Sequence, residues 1–209
     1  MIKKLAETEV EIAPLISERW SPRVFDPEFI INEVSVKSIL EAARWAPSCF
    51  GDQPWKFIIF QKKDALQWVN ALNCLSVGNQ NWAMDTSLLI CVCANKKFKH
   101  NGNENKWSNY DTGAASENIC LQSTYLGLAA HQMGGFDSDK IRNLANIPVE
   151  FDVMSFIAVG KPLAKKLMTV EQVEAEGSAR KRLKLNEIYF ENKWDNFERS
   201  EERRVGKEC

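Results

Sequence analysis

Long apolar runs, net charge and histidine are all scarce in this sequence, and each shortage closes off a class of function. The longest apolar run covers residues 88–94 and is far too short to cross a bilayer. Acid and base nearly cancel, 28 Asp and Glu against 27 Lys and Arg, leaving a net charge of −1. Such a chain has no field to concentrate nucleic acid or an anionic membrane, so neither is an expected partner and a small molecule suits it better. His100 and His131 are the only histidines, and the six cysteines show no paired ligand spacing, so no metal is expected. Nor do the cysteines suggest a disulfide framework: Cys91 and Cys93 sit inside an apolar stretch, which reads as reduced, mostly buried thiols. Lys3 and Lys4 stand near the start, but Glu7, Glu9 and Glu11 interrupt what would have to be the apolar core of a secretion signal. A soluble, cytoplasmic protein is expected.

What the sequence does have is aromatic mass. With 209 residues, 44% of them hydrophobic, and 7 Trp and 11 Phe, it can build one sizeable core but is short for two. A single domain over 1–198 is the expectation. Residues 199–209, RSEERRVGKEC, resemble the in-frame translation of a sequencing-library adapter and are set apart as a non-native tail; as native chain they would be a charged, frayed end.

Periodicity sketches the elements. Ser35 reads as a cap for an amphipathic helix through Val36, Ile39, Leu40 and Ala43, which Pro47 stops. Residues 55–60 read as a strand, 64–72 as a helix and 87–94 as a buried strand. Asp111 reads as the cap of a long central helix that runs through Ala114, Ile119, Leu121, Tyr125 and Leu126, with Gly127 as its left-handed stop. Then follow an extended stretch at 128–133, a helix at 138–145, a buried strand at 153–159 and a last strand candidate at 186–190. Hairpin signals are few and helices intervene nearly everywhere, so an α/β or α+β layered fold is favoured over a sandwich. Residues 95–109, rich in Lys, Asn and Gly, form a long loop of the kind often used as a lid, though a tolerated surface excursion reads equally well.

Three segments carry chemistry. Arg19-Trp20-Ser21-Pro22-Arg23 puts two guanidiniums and a hydroxyl within five residues, with Pro22 breaking any helix, so the groups can converge on one anion. Alone, two arginines near a proline are more often surface charge. The loop from Ala46-Pro47-Ser48-Cys49-Phe50-Gly51-Asp52-Gln53-Pro54 to Trp55 offers rigid apolar surface beside free backbone donors, as a planar heteroaromatic ring requires; it equally describes a helix-to-strand turn anchored by Trp. In His131-Gln132-Met133-Gly134-Gly135-Phe136-Asp137, two residues without Cβ let the backbone approach a partner closely, and Asp137 or Ser138 can cap the next helix.

Together these segments resemble the FMN-dependent nitroreductase family. Arg-Trp-Ser-Pro-Arg followed by Ala-Pro-Ser and Gln-Pro-Trp is similar to its N-terminal signature. Asn79-Gln80-Asn81-Trp82-Ala83 is similar to its middle motif, Asp111-Thr112-Gly113-Ala114-Ala115 to its central helix, and Arg180-Lys181-Arg182 to its basic C-terminal cluster. The likeness runs over 16–194 in the family order. It implies an α+β, three-layer α/β/α fold with a mixed, mostly antiparallel sheet, a C-terminal strand extended onto a partner, and a homodimer with FMN at each of two interfacial sites.

The resemblance also implies roles. Arg19, Ser21 and Arg23, with Arg180 and Arg182, would neutralise the FMN phosphate, and Asn79 would meet the ribityl or pyrimidine part. Gly134 and Gly135 would aim an N–H at flavin N5, while Pro47, Ser48, Cys49 and Gly51 would cover the partner's flavin. Trp20 and Met133 are carried over with their motifs as cofactor-binding positions. Where many members have Asn, this chain has Gly51-Asp52, which puts a carboxylate beside the ring or turns it away. His131 reads as a packed structural residue and no side chain is assigned as catalytic, since the cofactor carries the electrons. The implied activity is a ping-pong transfer of hydride from NADH or NADPH to a small acceptor, a nitroaromatic or a quinone. Phe50, Trp107, Tyr110 and Phe136 are candidate pocket walls. Flavin-destroying or reductive dehalogenating members of the same fold, and a flavin-binding protein without turnover, are the alternatives.

Overall fold

The β-rich apolar stretches pair into one antiparallel sheet. The computed structural model describes residues 2–194. Its strands are β1 (Trp55–Gln61), β2 (Leu88–Asn95), β3 (Ala129–Met133) and β4 (Phe151–Gly160), in the spatial order β1-β2-β4-β3. All three ladders are antiparallel, so among the described residues the sheet is not mixed as the sequence suggested.

Alternation along β2 sorts the core into two layers. Leu89, Cys91 and Cys93 face one side, packing with Trp68 and Ala71 of α3 (Ala65–Leu72), Trp82 of α4 (Val77–Ala83) and Ile141 of α6 (Ser138–Leu144). Leu88, Ile90 and Val92 face the other, against Val36, Ile39 and Ala43 of α2 (Glu33–Arg44) and Ala115 and Ile119 of α5 (Ser108–Tyr125). The result is the expected helix–sheet–helix layering. Between Val92 and Cys93 the register with β4 slips. Val153 and Phe156, which share no parity, therefore both reach the same core layer, as a one-residue bulge requires.

Helix ends show where local reading fell short. The cap of α2 is Asn32, whose side chain accepts from the Ser35 backbone N–H; Ser35 lies inside the helix, which ends at Arg44, ahead of Pro47. Asp111 does not cap α5. The helix begins earlier, behind an Asn105 side chain that accepts from the Trp107 N–H at 3.1 Å, and Asp111 is buried in its first turn. The other end matches expectation: Gly127 has φ +71°, its N–H meets Thr124 O and the Leu128 N–H meets Ser123 O, the paired bonds of a Schellman stop. Residues 186–190 form no strand. Leu185–Glu187 is a single 3-10 turn followed by irregular chain, and no strand lies alongside it. Residues 199–209 lie outside the described residues.

Two short helices complete the chain, α1 (Pro14–Glu18) and α7 (Val170–Gly177), the latter held by a capping box between Thr169 and Gln172. Between α1 and α2, Phe25 bridges to Pro162 beyond β4 and packs on Gly160, where a Cβ would lie 2.9 Å from Phe25 Cδ1 and 3.2 Å from Thr86 Cα. The missing side chain lets residues 19–25 dock on the sheet. Gly160→Ala is accordingly expected to lower stability by about 1–3 kcal/mol through overpacking, read as a reduced urea midpoint at unchanged slope.

Candidate cofactor site

Two ends of the chain meet beside the edge strand β3. The Arg180 guanidinium donates from Nη1 to Lys4 O at 3.0 Å and Ser17 O at 2.9 Å, tying the C-terminal segment to the N-terminal one. Lys4 Nζ donates to Glu176 O, and Glu176 Oε1 accepts from the Arg23 backbone N–H at 2.9 Å. These bonds link residues more than 150 positions apart.

That stitching gathers cations. Arg180 is held below its ordinary pKa first by burial and then by the charges of Arg19 and Arg182, so these three groups repel one another. His131 is likewise lowered, first by burial and further by Arg23 and Arg19, against the opposing bond to Pro22 O. Arg19, Arg23, Arg180 and Arg182 thus share one electrostatic neighbourhood. Carboxylates offset part of that charge: Glu176 interacts with Arg23, and Glu7 and Glu9 line a cavity with Arg180 and Arg182. Arg19 Nε pairs with Glu117 of α5 at 3.3 Å, and burial raises the Glu117 carboxyl above its usual range. Arg19 Nη1 also reaches Ser21 Oγ at 3.4 Å, while Arg182 is exposed and donates only to its neighbour Lys181 O. A cluster of mutually repelling guanidiniums fits a dianionic phosphate, which would relieve that repulsion.

The glycine turn divides its labour. Gly135 sits so close to α4 that a Cβ would lie 2.8 Å from Ser76 Oγ and 2.9 Å from Asn79 Nδ2. Its carbonyl accepts from Ser76 N and from Asn79 Nδ2, at 2.9 and 3.0 Å. Asn79 therefore pins the turn, leaving its carbonyl oxygen for another partner. Gly134 is exposed, with open space where a Cβ would stand. A planar ring fits against that open backbone; only Gly135 owes its lack of Cβ to packing within the chain.

Other expected positions separate. Met133 directs its side chain into the core, so only its backbone is free to meet a cofactor. Trp20 lies beneath Lys4 Nζ, 4.8 Å from the ring centroid, and lines a 180 Å³ cavity with residues 2–5, Gly127 and Leu128. Pro47, Ser48, Cys49 and Gly51 form a separate loop between α2 and β1. Ser48 Oγ accepts from Gln53 N, and Asp111 Oδ2 accepts from the Cys49 N–H at 3.0 Å, the bond that claims Asp111 in place of capping. Asp52 is turned inward, 8% exposed, with Oδ1 accepting from the Lys99 backbone N–H. Phe136 packs edge-on to Phe156, 5.4 Å between centroids, and is core, not pocket wall. Phe50 and Tyr110 are over 80% exposed.

His131 is structural, as its position on a strand suggested. Its Nδ1–H donates to Pro22 O at 2.9 Å, and its ring stacks on Trp82 at 4.5 Å, with Phe25 on the other side of the stack at 6.1 Å. Sequence reasoning missed Glu117, Glu176 and Lys4, whose partners are remote in the chain and leave no local pattern. It also left α4 as a motif without a fold, although Ser76 precedes it as a recognisable cap residue.

Among known proteins, the nitroreductase family model matches residues 16–76 and 70–161. A protein of Archaeoglobus fulgidus, provisionally named NADH dehydrogenase/NAD(P)H nitroreductase, is 30% identical over 160 residues, covering 75% of this chain and 88% of its own. The oxygen-insensitive NADPH nitroreductase of Helicobacter acinonychis is 25% identical, covering 70% and 85%. A solved oxidoreductase containing FMN superposes with TM-score 0.83 at 33% identity, covering 90% of this chain and 96% of that one. A nitroreductase family protein of Clostridium difficile shares the fold at TM-score 0.65 and 23% identity, with 86% and 97% covered.

The lowered pKa of His131 has a definite sign. The unfolded chain binds a proton more readily than the folded one, so this contribution to stability is complete above about pH 6.5 and is lost as pH falls through the folded value. Between about pH 7.5 and 5.5 the wild-type denaturation free energy is expected to fall, by at most about 1.4 kcal/mol per pH unit from this group, and to fall less in His131→Gln. Identical pH profiles for the two proteins would contradict the assignment.

Proposed function

The chain belongs to the nitroreductase family, and on that premise we propose that it is an FMN-dependent oxidoreductase. It would take hydride from NADH or NADPH and reduce small electron-poor acceptors such as nitroaromatics or quinones by a ping-pong cycle. The observation that carries this reading is the gathering of Arg19, Arg23, Arg180 and Arg182, from the N- and C-terminal segments, into one electrostatic neighbourhood. The FMN-containing oxidoreductase that this chain resembles at 33% identity supports the choice of anion.

When bound, FMN supplies the two-electron chemistry, accepting hydride from the nicotinamide and passing electrons to the second substrate. The chain's own residues bind and orient. Arg19 and Ser21 hold the phosphate from the N-terminal side, with Arg23, and Arg180 and Arg182 close on it from the C-terminal side. Glu117 fixes Arg19 through Nε, which leaves the two terminal nitrogens of that fork for phosphate oxygens. Asn79 keeps the turn in place and offers its carbonyl oxygen to the flavin's polar edge. The backbone at Gly134 and Gly135 presents N–H donors to the ring, with Met133 contributing main chain only and Trp20 closing the N-terminal segment behind the phosphate.

Pro47, Ser48, Cys49 and Gly51 would cover the flavin of a second copy, and the active unit would then be a homodimer. Trp45, 74% exposed, and Tyr110, 81% exposed, support burial by a partner beside that loop. The five thiols of the described residues are free, and burial pushes Cys120 up to about 12, in keeping with a cytoplasmic setting.

Arg19→Ala and Arg180→Ala are each expected to weaken FMN binding roughly ten- to a hundredfold, read by quenching of flavin fluorescence. Flavin affinity unchanged in both would refute the phosphate clamp. Purified protein that holds FMN but is not bleached by NADH or NADPH without oxygen would refute the reaction.

A further inference from the structure

The loop at 47–53 carries a second feature that the flavin does not require. Phe50 and Gln53 have φ of +54° and +49°, flanking Gly51 at +65°. Side chains seldom adopt this region unless their surroundings force it. Here they do: Gly51 N–H meets Ser48 O, Asp52 N–H meets Cys49 O, and Asp52 is locked onto the loop at 95–109 through the Lys99 N–H. The outcome is a phenyl ring held facing solvent, 82% exposed.

That ring belongs to an aromatic wall. Phe50 stands edge-on to Phe98 at 5.8 Å and to His100 at 5.6 Å; buried Phe98 contacts His100 at 5.2 Å and Trp107 at 6.1 Å. Beside it opens a cavity of about 470 Å³ lined by Phe50, Gly51, Asp52, Gln53, Lys99 and His100, within the range that small-molecule pockets occupy. Its charge comes from the loop. Lys99 Nζ donates to Asp52 O and to Gln53 O, and of its three donors one is uncommitted among the described residues. The one carboxylate on the wall, Asp52, is withdrawn from solvent, with Oδ2 buried and unpartnered. Lys97 and Lys106 add positive charge along the same loop, whose one acidic residue is Glu104, while Lys96 is paired with Asp152 at 3.5 Å.

We propose that this cavity is the acceptor subsite and selects a flat aromatic ring bearing an anionic substituent, the ring against Phe50 and His100 and the anion at Lys99. The inference rests on the flavoenzyme reading above, because Phe50 and Gly51 belong to the loop assigned there to cover a flavin. A neutral ring gains the stacking contact alone, whereas a carboxylate adds a charge-assisted hydrogen bond.

The test is a pair of near-isosteric ligands, 4-nitrobenzoate and 4-nitrobenzamide, titrated calorimetrically into the FMN-loaded protein without nucleotide. The carboxylate is expected to bind about tenfold tighter at low salt, with the gap shrinking as ionic strength rises. Lys99→Gln should close the gap, and Phe50→Ala should weaken both ligands alike while keeping it. Equal affinities in the wild type, or a gap that survives Lys99→Gln, overturn the proposal. A protein that holds FMN and is bleached by NADPH yet binds the two ligands equally overturns this inference alone; one that holds no FMN overturns the functional reading itself.

Discussion

Guanidinium groups from opposite ends of the chain are forced together, and the rest of the architecture follows from holding them there. Like charges at close range oppose folding, yet Arg180 is drawn inward to Lys4 and Ser17 carbonyls and set near Arg19 and Arg182. Glu117 offsets part of the repulsion, but it is itself a carboxyl whose charged form burial disfavours. Glu176 is in the same position: 6% exposed, raised by burial, with one oxygen spent on the Arg23 backbone and the other buried without a partner. With Glu117 and Glu176 both disfavoured as charged groups by burial, an anion arriving at this cluster would relieve its repulsion.

The uncharged half of the site is built by close packing. Phe25, Trp82 and His131 stack across residues 19–25, α4 and β3, so the cationic segment, the Asn79 helix and the glycine turn move as one unit. Gly135 is pressed onto Ser76 and Asn79, and this contact frees Gly134 to face open space. One glycine is thereby committed to the protein's own packing, while its neighbour is left open. On the far side, Asp111 and Lys99 hold the loop at 47–53 in a backbone form it would not adopt alone.

How much of this was legible in the sequence depended on range. The strand β2 came through because its apolar run is unbroken and buried on both faces, and α2 because an apolar period marks its buried face. Gly127 was legible because only a left-handed residue ends a helix that way. Asp111 and Ser35 were misread for a shared reason: both are good caps, but a cap is decided by which residue precedes the first helical turn, and Trp107 and Asn32 hold those places, the first without a side-chain cap bond. Residues 186–190 have the composition of a strand, but the chain there is a single 3-10 turn followed by irregular backbone. At the site, motif spacing pointed to Arg19, Arg23, Arg180 and Asn79, while Glu117, Glu176, Lys4 and Lys99 act through partners 40 or more residues away and leave no trace in a linear reading.

The central claim is that the cation cluster exists to bind a phosphate attached to a flavin. Its most direct measurement is the affinity of the FMN-free protein for FMN compared with riboflavin, which has the same ring and ribityl chain but no phosphate. The account requires FMN to bind at least a hundredfold tighter, with an advantage that declines as salt is added. Equal affinity for the two, or an advantage indifferent to salt, would contradict it.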